Sequence, residues 1–263
     1  MKGMGSNATR DAFFRQVLNL LRKEKIPFLV GGGYAFAAYT NIHRDTKDLD
    51  LFIKPEDLES ALALAKEHGL KTWIKSPHWL GKIAKGEYFV DLIFSSGNGA
   101  CPVDDRWFAN APTSTLLGQK VGLTPPEEMI WSKAFIMERH RYDGADVAHI
   151  LLARAPDLDW ERLIDRFAEK WPVLLSHLLM FRFVYPQRAR QVPDEVLSRL
   201  IARLPETARA EPLEHGQSAC RGTLLSFLEY IPDVRSWGFR DARLRPEGSM
   251  SQREIDRWTD EPK

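Results

Sequence analysis

Two aspartates, one residue apart, lie inside an apolar run, and this feature most limits how the chain can fold. The run reads KDLDLFI over residues 47–53, and its period-2 alternation predicts a β-strand. Residues i and i+2 of a strand point to the same side, so Asp48 and Asp50 project together, away from the leucine between them. A buried carboxylate without a partner is costly, and two neighbouring carboxylates repel each other. We therefore expect a cation to lie between them.

Magnesium is the cation that best fits this pair. It is a hard ion that proteins bind through one or two carboxylates together with substrate phosphates. Two such ions can clamp the attacking and leaving oxygens of a phosphoryl displacement. A third carboxylate, Asp91, lies at the centre of the apolar run YFVDLIF, and the three carboxylates converge if its strand lies beside that of Asp48. Taken alone, Asp91 is explained equally well as a functional residue or as an ordinary aspartate of a strand edge or turn.

A run of three glycines at 31–33 separates a predicted strand from a short predicted helix. Glycines at such a place let the backbone approach an anion, and the N–H groups of the helix start point at it. Alone, such a run predicts no more than a flexible turn, but its position just before the acidic strand favours phosphate binding by Gly32 and Gly33. Arg44 could add a phosphate contact, and Thr46 could brace the loop through its hydroxyl.

The order of elements predicts an α+β fold. The first part of the chain alternates helices and strands and ends in strands, which indicates one mixed sheet. Strands are expected at IPFLV, DLDLFI, KTWI, LGKIA and EYFVDLIFSS, with a hairpin turn between the last two. The remainder is predicted to be helical, over residues 126–140, 143–154, 158–169, 172–184, 194–204 and 219–230. We place the boundary near residue 120, which gives a core domain, 1–120, and a helical C-terminal domain, 121–263.

Composition narrows the classes of protein. The chain has 263 residues, of which 44% are hydrophobic and 28% charged, as in globular proteins. No apolar stretch approaches the ~20 residues that cross a membrane, and the N-terminus lacks a signal-peptide core. The two cysteines, far apart, argue against a disulfide framework or a cysteine zinc site, so a cytoplasmic location is expected. A net charge of +1 removes the simplest sign of a nucleic-acid binder, though not a local basic face.

The segment VGGGYAFAAYTNIHRDTKDLDLFI resembles the signature of the nucleotidyltransferase superfamily with the DNA polymerase β fold. That signature is an apolar residue, two small residues and a short helix, then an Asp-x-Asp strand and a third aspartate on a later strand. The wording R-x-T-x-D-x-D looks like the small bacterial branch, which includes antibiotic nucleotidyltransferases and abortive-infection toxins. The resemblance covers roughly residues 26–95, and its motifs are specific only in combination.

A second patch, PPEEMIWSKAFIMERHRYDGADVAHILL, is similar to the segment after the core in the toxin-like branch. The resemblance implies that Lys133 contacts the triphosphate and that Asp143 or Asp146 orients this lysine or the acceptor. From the residues alone, Lys133 is better explained as an ordinary surface lysine. Asp143 is equally well explained as the N-cap of the helix that follows it.

The resemblance implies a polymerase β-like nucleotidyltransferase core followed by a helical domain. The implied reaction moves a nucleoside monophosphate from a nucleoside triphosphate, such as ATP, to an acceptor hydroxyl and releases pyrophosphate. Asp48, Asp50 and Asp91 would be the catalytic residues and would hold Mg²⁺, or Mn²⁺. The implied acceptor is a small molecule or an RNA end, and an antidote protein is an implied partner if the chain is toxin-like.

Two other classes stay open from the sequence. One is a non-catalytic nucleotide sensor or partner-binding module on the same fold. The three costly carboxylates argue against it, because a protein without catalysis has no need to keep them. The other is a helix-rich interaction protein whose C-terminal half does the work.

Overall fold

The computed structural model describes residues 3–207 and 218–260, and these form two compact units. The first unit contains the described residues up to Gly97 together with Pro102–Pro125. The second contains Asn98–Cys101 and the described residues from Pro126 onward. No helix among the described residues is both long enough and apolar enough to cross a membrane.

The first unit is built on one five-stranded mixed sheet. Its strands in chain order are β1 (Leu29–Val30), β2 (Asp48–Phe52), β3 (Lys71–Ser76), β4 (Leu80–Lys85) and β5 (Tyr88–Ile93). In space they are ordered β1-β2-β5-β4-β3. The central pair, β2 and β5, is parallel, and every other neighbouring pair is antiparallel. The mixed sheet predicted from the sequence is confirmed.

The two faces of this sheet differ in polarity because the central strands alternate with period 2. The inward residues of β2 and β5 are fully buried, among them Leu49, Leu51, Val90 and Leu92. Two helices, α1 (Gly3–Lys23) and α3 (Leu58–Glu67), contribute to the core of this unit with Phe13, Phe14, Leu18, Ala61 and Leu62. The residues of β2 and β5 that alternate with these buried ones, the aspartates included, lie on the opposite, half-exposed face of the sheet. The short helix α2 (Gly32–Thr40) connects β1 to the loop that leads into β2.

The first unit ends in smaller elements. Helix α4 (Asp105–Ala109) is N-capped by Asp104, whose carboxylate accepts a hydrogen bond from the Arg106 N–H at 3.0 Å. The hairpin of β6 (Thr113–Leu116) and β7 (Gln119–Gly122) follows. Trp107 is fully buried and stacks on Phe52, with ring centroids 5.0 Å apart. This ring pair packs α4 against the C-terminal end of β2.

The second unit is largely helical. Its helices are α5 (Pro126–Ala134), α6 (Gly144–Arg154), α7 (Trp160–Phe167), α8 (Trp171–Val184), α9 (Asp194–Ala202), α10 (Leu204–Thr207), α11 (Ile231–Arg235) and α12 (Gln252–Asp260). Two short two-stranded sheets accompany them, β8 (Met137–Glu138) with β9 (Arg141–Tyr142), and β10 (Ala219–Cys220) with β11 (Arg240–Asp241). Their core is aromatic and aliphatic, with Phe135 and Phe167 stacked at 5.7 Å.

Two helices predicted from the sequence are wrong in extent or in kind. The helix expected over 126–140 ends at Ala134, because Met137 and Glu138 turn into a hairpin and the Met137 N–H bonds the Leu225 carbonyl at 3.1 Å. The helix expected over 219–230 is a short strand followed by 3₁₀ and turn structure. There the Glu138 carboxylate accepts hydrogen bonds from the Ser226 hydroxyl and the Phe227 N–H. These tertiary bonds replace the helical ones.

An ion cluster inside the second unit joins α5 to α7. Glu128 is fully buried and accepts hydrogen bonds from Arg162 at 2.6 and 2.7 Å and from Arg166 at 3.0 Å. Arg166 also lies over the Trp131 ring, 5.1 Å from its centroid. A buried carboxylate is stable only with such partners, so each partner depends on the other.

We expect Glu128→Gln to lower the free energy of unfolding by about 3 to 5 kcal/mol, because it removes the buried charge that pairs with Arg166 and with one side of Arg162, whose other partners are Glu127 and Asp159. Urea denaturation followed by circular dichroism measures this change. Glu161→Gln is the matched control, since it removes an exposed ion pair with Arg199 and should change stability little. Equal effects of the two substitutions would contradict the assignment of Glu128 as a buried structural charge.

Candidate active site

A row of four side chains crosses the half-exposed face of the sheet. The strand register places Asp50 opposite Asp91, Asp91 opposite Lys82, and Lys82 opposite Trp73. Directly paired residues on neighbouring strands project to the same face. The row therefore brings a carboxylate of β2, a carboxylate of β5 and an ammonium of β4 side by side.

Asp48 lies on the same face, two residues before Asp50, and is paired in register with Phe89. Burial raises the pKa of Asp91 above its ordinary value, Lys82 opposes that rise, and the negative charge of Asp48 adds to it. The three aspartates predicted from the sequence thus lie on one face of two adjacent strands.

Lys82 is the member of this face that the sequence did not reveal. Its ammonium donates to both Asp91 oxygens, at 2.7 and 3.0 Å, and the two side chains are only 19% and 14% exposed. The ammonium also lies 5.2 Å from the centroid of the Phe89 ring, which itself meets Trp73 edge to face. The available signal was a lone lysine in the middle of LGKIAK, a predicted strand. Its partner depended on the register between β4 and β5, which the sequence does not state.

The glycine turn is packed directly against the acidic strand. The Gly31 N–H donates to the Asp50 carbonyl at 2.9 Å. Gly32 has φ +51°, and a Cβ at this position would overlap the Asp50 carboxylate. Both the backbone conformation and the close approach therefore require glycine at position 32. Helix α2 begins here, so its first N–H groups, which have no acceptor within the helix, start beside Asp50.

The loop between α2 and β2 is held by Thr46. Its hydroxyl donates to the Asp48 carbonyl at 3.0 Å and accepts from the Asp48 N–H at 3.2 Å. Arg44 lies over the Phe36 ring, with its guanidinium carbon 4.6 Å from the centroid. These contacts fix the position from which β2 starts and, with it, the place of the first aspartate.

A cavity of about 150 Å³ opens beside the glycine turn. Its lining comes from α1, α2 and the 41–47 loop: Arg10, Gly33, Tyr34, Ala37, His43, Arg44, Asp45 and Thr46. Arg10 donates to Asp11 at 3.0 and 3.1 Å, and burial raises the pKa of Tyr34. Arg10, Arg44 and Gly33 therefore line the same cavity. Arg10 did not stand out in the sequence, because it lies about twenty residues before the glycines, in the first half of helix α1.

In the second unit, Lys133 is held between two carboxylates. Its ammonium donates to Asp143 and to Asp146, each at 2.8 Å. Burial by itself would raise the pKa of Asp143, but Lys133 and Arg141 hold it below the ordinary value. Asp143 is the residue before α6, yet its side chain does not cap the helix and binds these cations instead. The structure thus brings together the three residues that the resemblance singled out in this segment.

The acidic face fits a divalent cation in its chemistry. Carboxylate oxygens are the ligands that Mg²⁺ and Mn²⁺ prefer, and the lack of a Cβ at Gly32 lets the Asp50 carboxylate lie against the glycine turn. The third carboxylate is engaged by Lys82. Within residues 3–207 and 218–260, no group of three or more histidine, cysteine, aspartate or glutamate side chains is arranged to hold a metal ion. Asp48 and Asp50 are the residues that fit the ion.

The packing of Gly32 on Asp50 gives a stability prediction. Gly32→Ala should lower the free energy of unfolding by more than Gly86→Ala, because both glycines have positive φ but a Cβ at position 86 meets nothing within 4 Å. The control isolates the backbone strain, roughly 1 to 2 kcal/mol, from the clash with the carboxylate. Urea unfolding measures both. A Gly32 variant as stable as the Gly86 variant would contradict the close approach to Asp50.

The comparisons with known proteins bear on this geometry. The chain is similar in structure to the antibiotic-resistance factor ANT(2'')-Ia, with 18% identity, 65% of this chain and 97% of that chain covered, and a TM-score of 0.45. The lincosamide antibiotic adenylyltransferase LnuA is 12% identical, with 53% of this chain and 94% of that chain covered and a TM-score of 0.38. Terminal uridylyl transferase 4 from Trypanosoma brucei is 13% identical, with 65% of this chain and 64% of that chain covered and a TM-score of 0.30. Likenesses this distant decide nothing about substrates.

No curated protein matches the chain in sequence. The family model described as "Uncharacterised nucleotidyltransferase" matches residues 6–184, which include the glycine turn, the three aspartates and the Lys133 cluster. The superfamily resemblance found in the motifs is confirmed by this match. The chain belongs to this family of nucleotidyltransferases.

Proposed function

We propose that the protein transfers a nucleoside monophosphate from a nucleoside triphosphate to an acceptor hydroxyl and releases pyrophosphate. The observation that carries this proposal is the face shared by Asp48, Asp50 and Asp91, set against the glycine turn. In such a reaction the protein mainly positions the groups and neutralises their charge. A carboxylate face beside a helix N-terminus supplies both requirements.

Asp48 and Asp50 would hold a divalent cation, Mg²⁺ or Mn²⁺. When bound, such an ion neutralises charge on the phosphate oxygens and orients them. Asp91 would accept the proton of the acceptor hydroxyl, and the rise of its pKa on burial suits a proton acceptor. The hydroxyl oxygen then attacks the α-phosphorus in line, and the bond to pyrophosphate breaks.

The phosphates would lie at the start of α2, at Gly32 and Gly33. The cavity beside this turn carries the cations that a triphosphate requires, Arg44 from the loop and Arg10 from α1, with Thr46 in its wall. In the second unit, we propose that Lys133 serves an anionic group of the substrate, with Asp143 and Asp146 holding its ammonium in place.

The acceptor belongs to a small molecule or to an RNA. The net charge of +1 favours a small molecule, because extended phosphate contact requires a basic face. The direct test incubates the protein with each α-³²P-labelled nucleoside triphosphate, Mg²⁺ or Mn²⁺, and cell extract separated into RNA, protein and small-molecule fractions. Label in one fraction identifies the acceptor. Tight nucleotide binding without label in any fraction would contradict the proposal and favour a nucleotide sensor.

Asp48→Asn should abolish this transfer and leave the fold intact, with stability equal or higher because repulsion on the acidic face is relieved. Glu67→Gln, an exposed change at the end of α3, is the control and should keep full transfer. The measurements are label transfer and a thermal melt of each variant. Near-normal turnover of the Asp48 variant would refute the assignment.

Arg10→Ala should weaken triphosphate binding roughly tenfold or more, because a hydrogen bond to a charged group contributes about 1.5 to 3 kcal/mol. Binding of the corresponding nucleoside monophosphate should change less, since the lost contact is to the outer phosphates. Arg15→Ala is matched to it, being on the same helix but exposed and bonded to the Leu117 carbonyl. Isothermal titration calorimetry compares the three proteins, and equal triphosphate affinity in all three would remove Arg10 from the site.

A further inference from the structure

The Lys82–Asp91 pair bears on how many metal ions the site can take, and this question rests on the proposed function. The ammonium bonds both oxygens of Asp91, so the carboxylate has a cation in place before any metal arrives. A metal ligand offers at least one oxygen to the ion. Each Asp91 oxygen keeps a further lone pair, but an ion bound there would lie next to the ammonium, and the two cations would repel each other unless Lys82 withdrew.

Withdrawal of Lys82 is opposed by its surroundings. The residue is in the middle of β4, paired on one side with Asp91 and on the other with Trp73, so the sheet fixes its backbone and the ammonium can leave only by rotation of the side chain. Its ammonium also lies over the Phe89 ring. A lysine that left Asp91 would be a largely buried cation without its counter-charge, which is costly.

The charges on this face lead to the same conclusion. Asp48, Asp50 and Asp91 bring three negative charges, and the ammonium of Lys82 neutralises one of them. One divalent ion balances the two that are left. A bound triphosphate brings further negative charge and a place for cations of its own, but a second divalent ion at Asp91 would lie beside the ammonium and be repelled by it.

We propose that Lys82 takes the place of a second metal ion, so that the nucleotide-bound protein holds a single divalent cation, on Asp48 and Asp50. Lys82 acts through Asp91 and is a positioning residue. It fixes the orientation of that carboxylate and keeps it apart from the metal. The site would differ in this respect from one in which three carboxylates share two ions.

The test counts Mn²⁺ ions by electron paramagnetic resonance, in the presence of saturating α,β-methylene analogues of the four nucleoside triphosphates. We expect one ion per nucleotide-bound chain in the natural protein and two in Lys82→Met, where Asp91 is released. Lys82→Arg, which keeps a cation, should hold one ion. Lys71→Met, which removes an exposed lysine on the neighbouring strand β3, should also hold one.

Two ions in the natural protein would overturn the inference and leave the proposed function standing. A single ion in Lys82→Met, with the fold verified by circular dichroism, would overturn it as well. If the methionine variant does not fold, the count for the natural protein and for Lys82→Arg still decides. No nucleotide-dependent Mn²⁺ binding in any variant, together with no transfer of label, would instead remove the proposed function.

Discussion

The crowding of carboxylates on one face of the central sheet is the constraint on which the rest of the first unit depends. Asp50 and Asp91 are directly paired across parallel strands, and Asp48 is two residues away. Each is partly withdrawn from water, so repulsion and lost hydration both act against the fold. Lys82 offsets this at Asp91, and Thr46 holds the backbone at the start of β2. Crowded carboxylates with a perturbed pKa are typical of functional sites.

Burial of the apolar face of the same strands stabilises the fold and offsets the unfavourable crowding of the aspartates. Leu49, Leu51, Val90 and Leu92 are fully buried in the core of the first unit, which also contains apolar residues of α1 and α3. Because the side-chain period of a strand is two, a register slip of one residue would expose this core and bury the aspartates. The apolar face thus fixes the register, and the register brings Asp50, Asp91 and Lys82 into one row.

The second unit contains two clusters of paired carboxylates and cations that differ in burial. Glu128 with Arg162 and Arg166 is deeply buried and joins helices, while Lys133 with Asp143 and Asp146 lies nearer the surface. Only the latter residues are given a role by the resemblance to nucleotidyltransferases. A cation held by two carboxylates is fixed in direction, and it can serve a substrate without first paying the entropy of being ordered.

The sequence by itself determined the five strands of the sheet in the first unit and the candidate aspartates, because period-2 alternation and glycine turns are local signals. It also determined the family, through the glycine turn and the spacing of Asp48 and Asp50. Only the tertiary structure decided that Lys82 binds Asp91 and that Arg10 lines the cavity beside Gly33, since strand register and helix packing join residues far apart in the chain. The same reason explains the helix expected over 219–230. Its local pattern is helical, but the distant Glu138 carboxylate captures the Ser226 hydroxyl and the Phe227 N–H, and this long-range competition is invisible in a linear sequence.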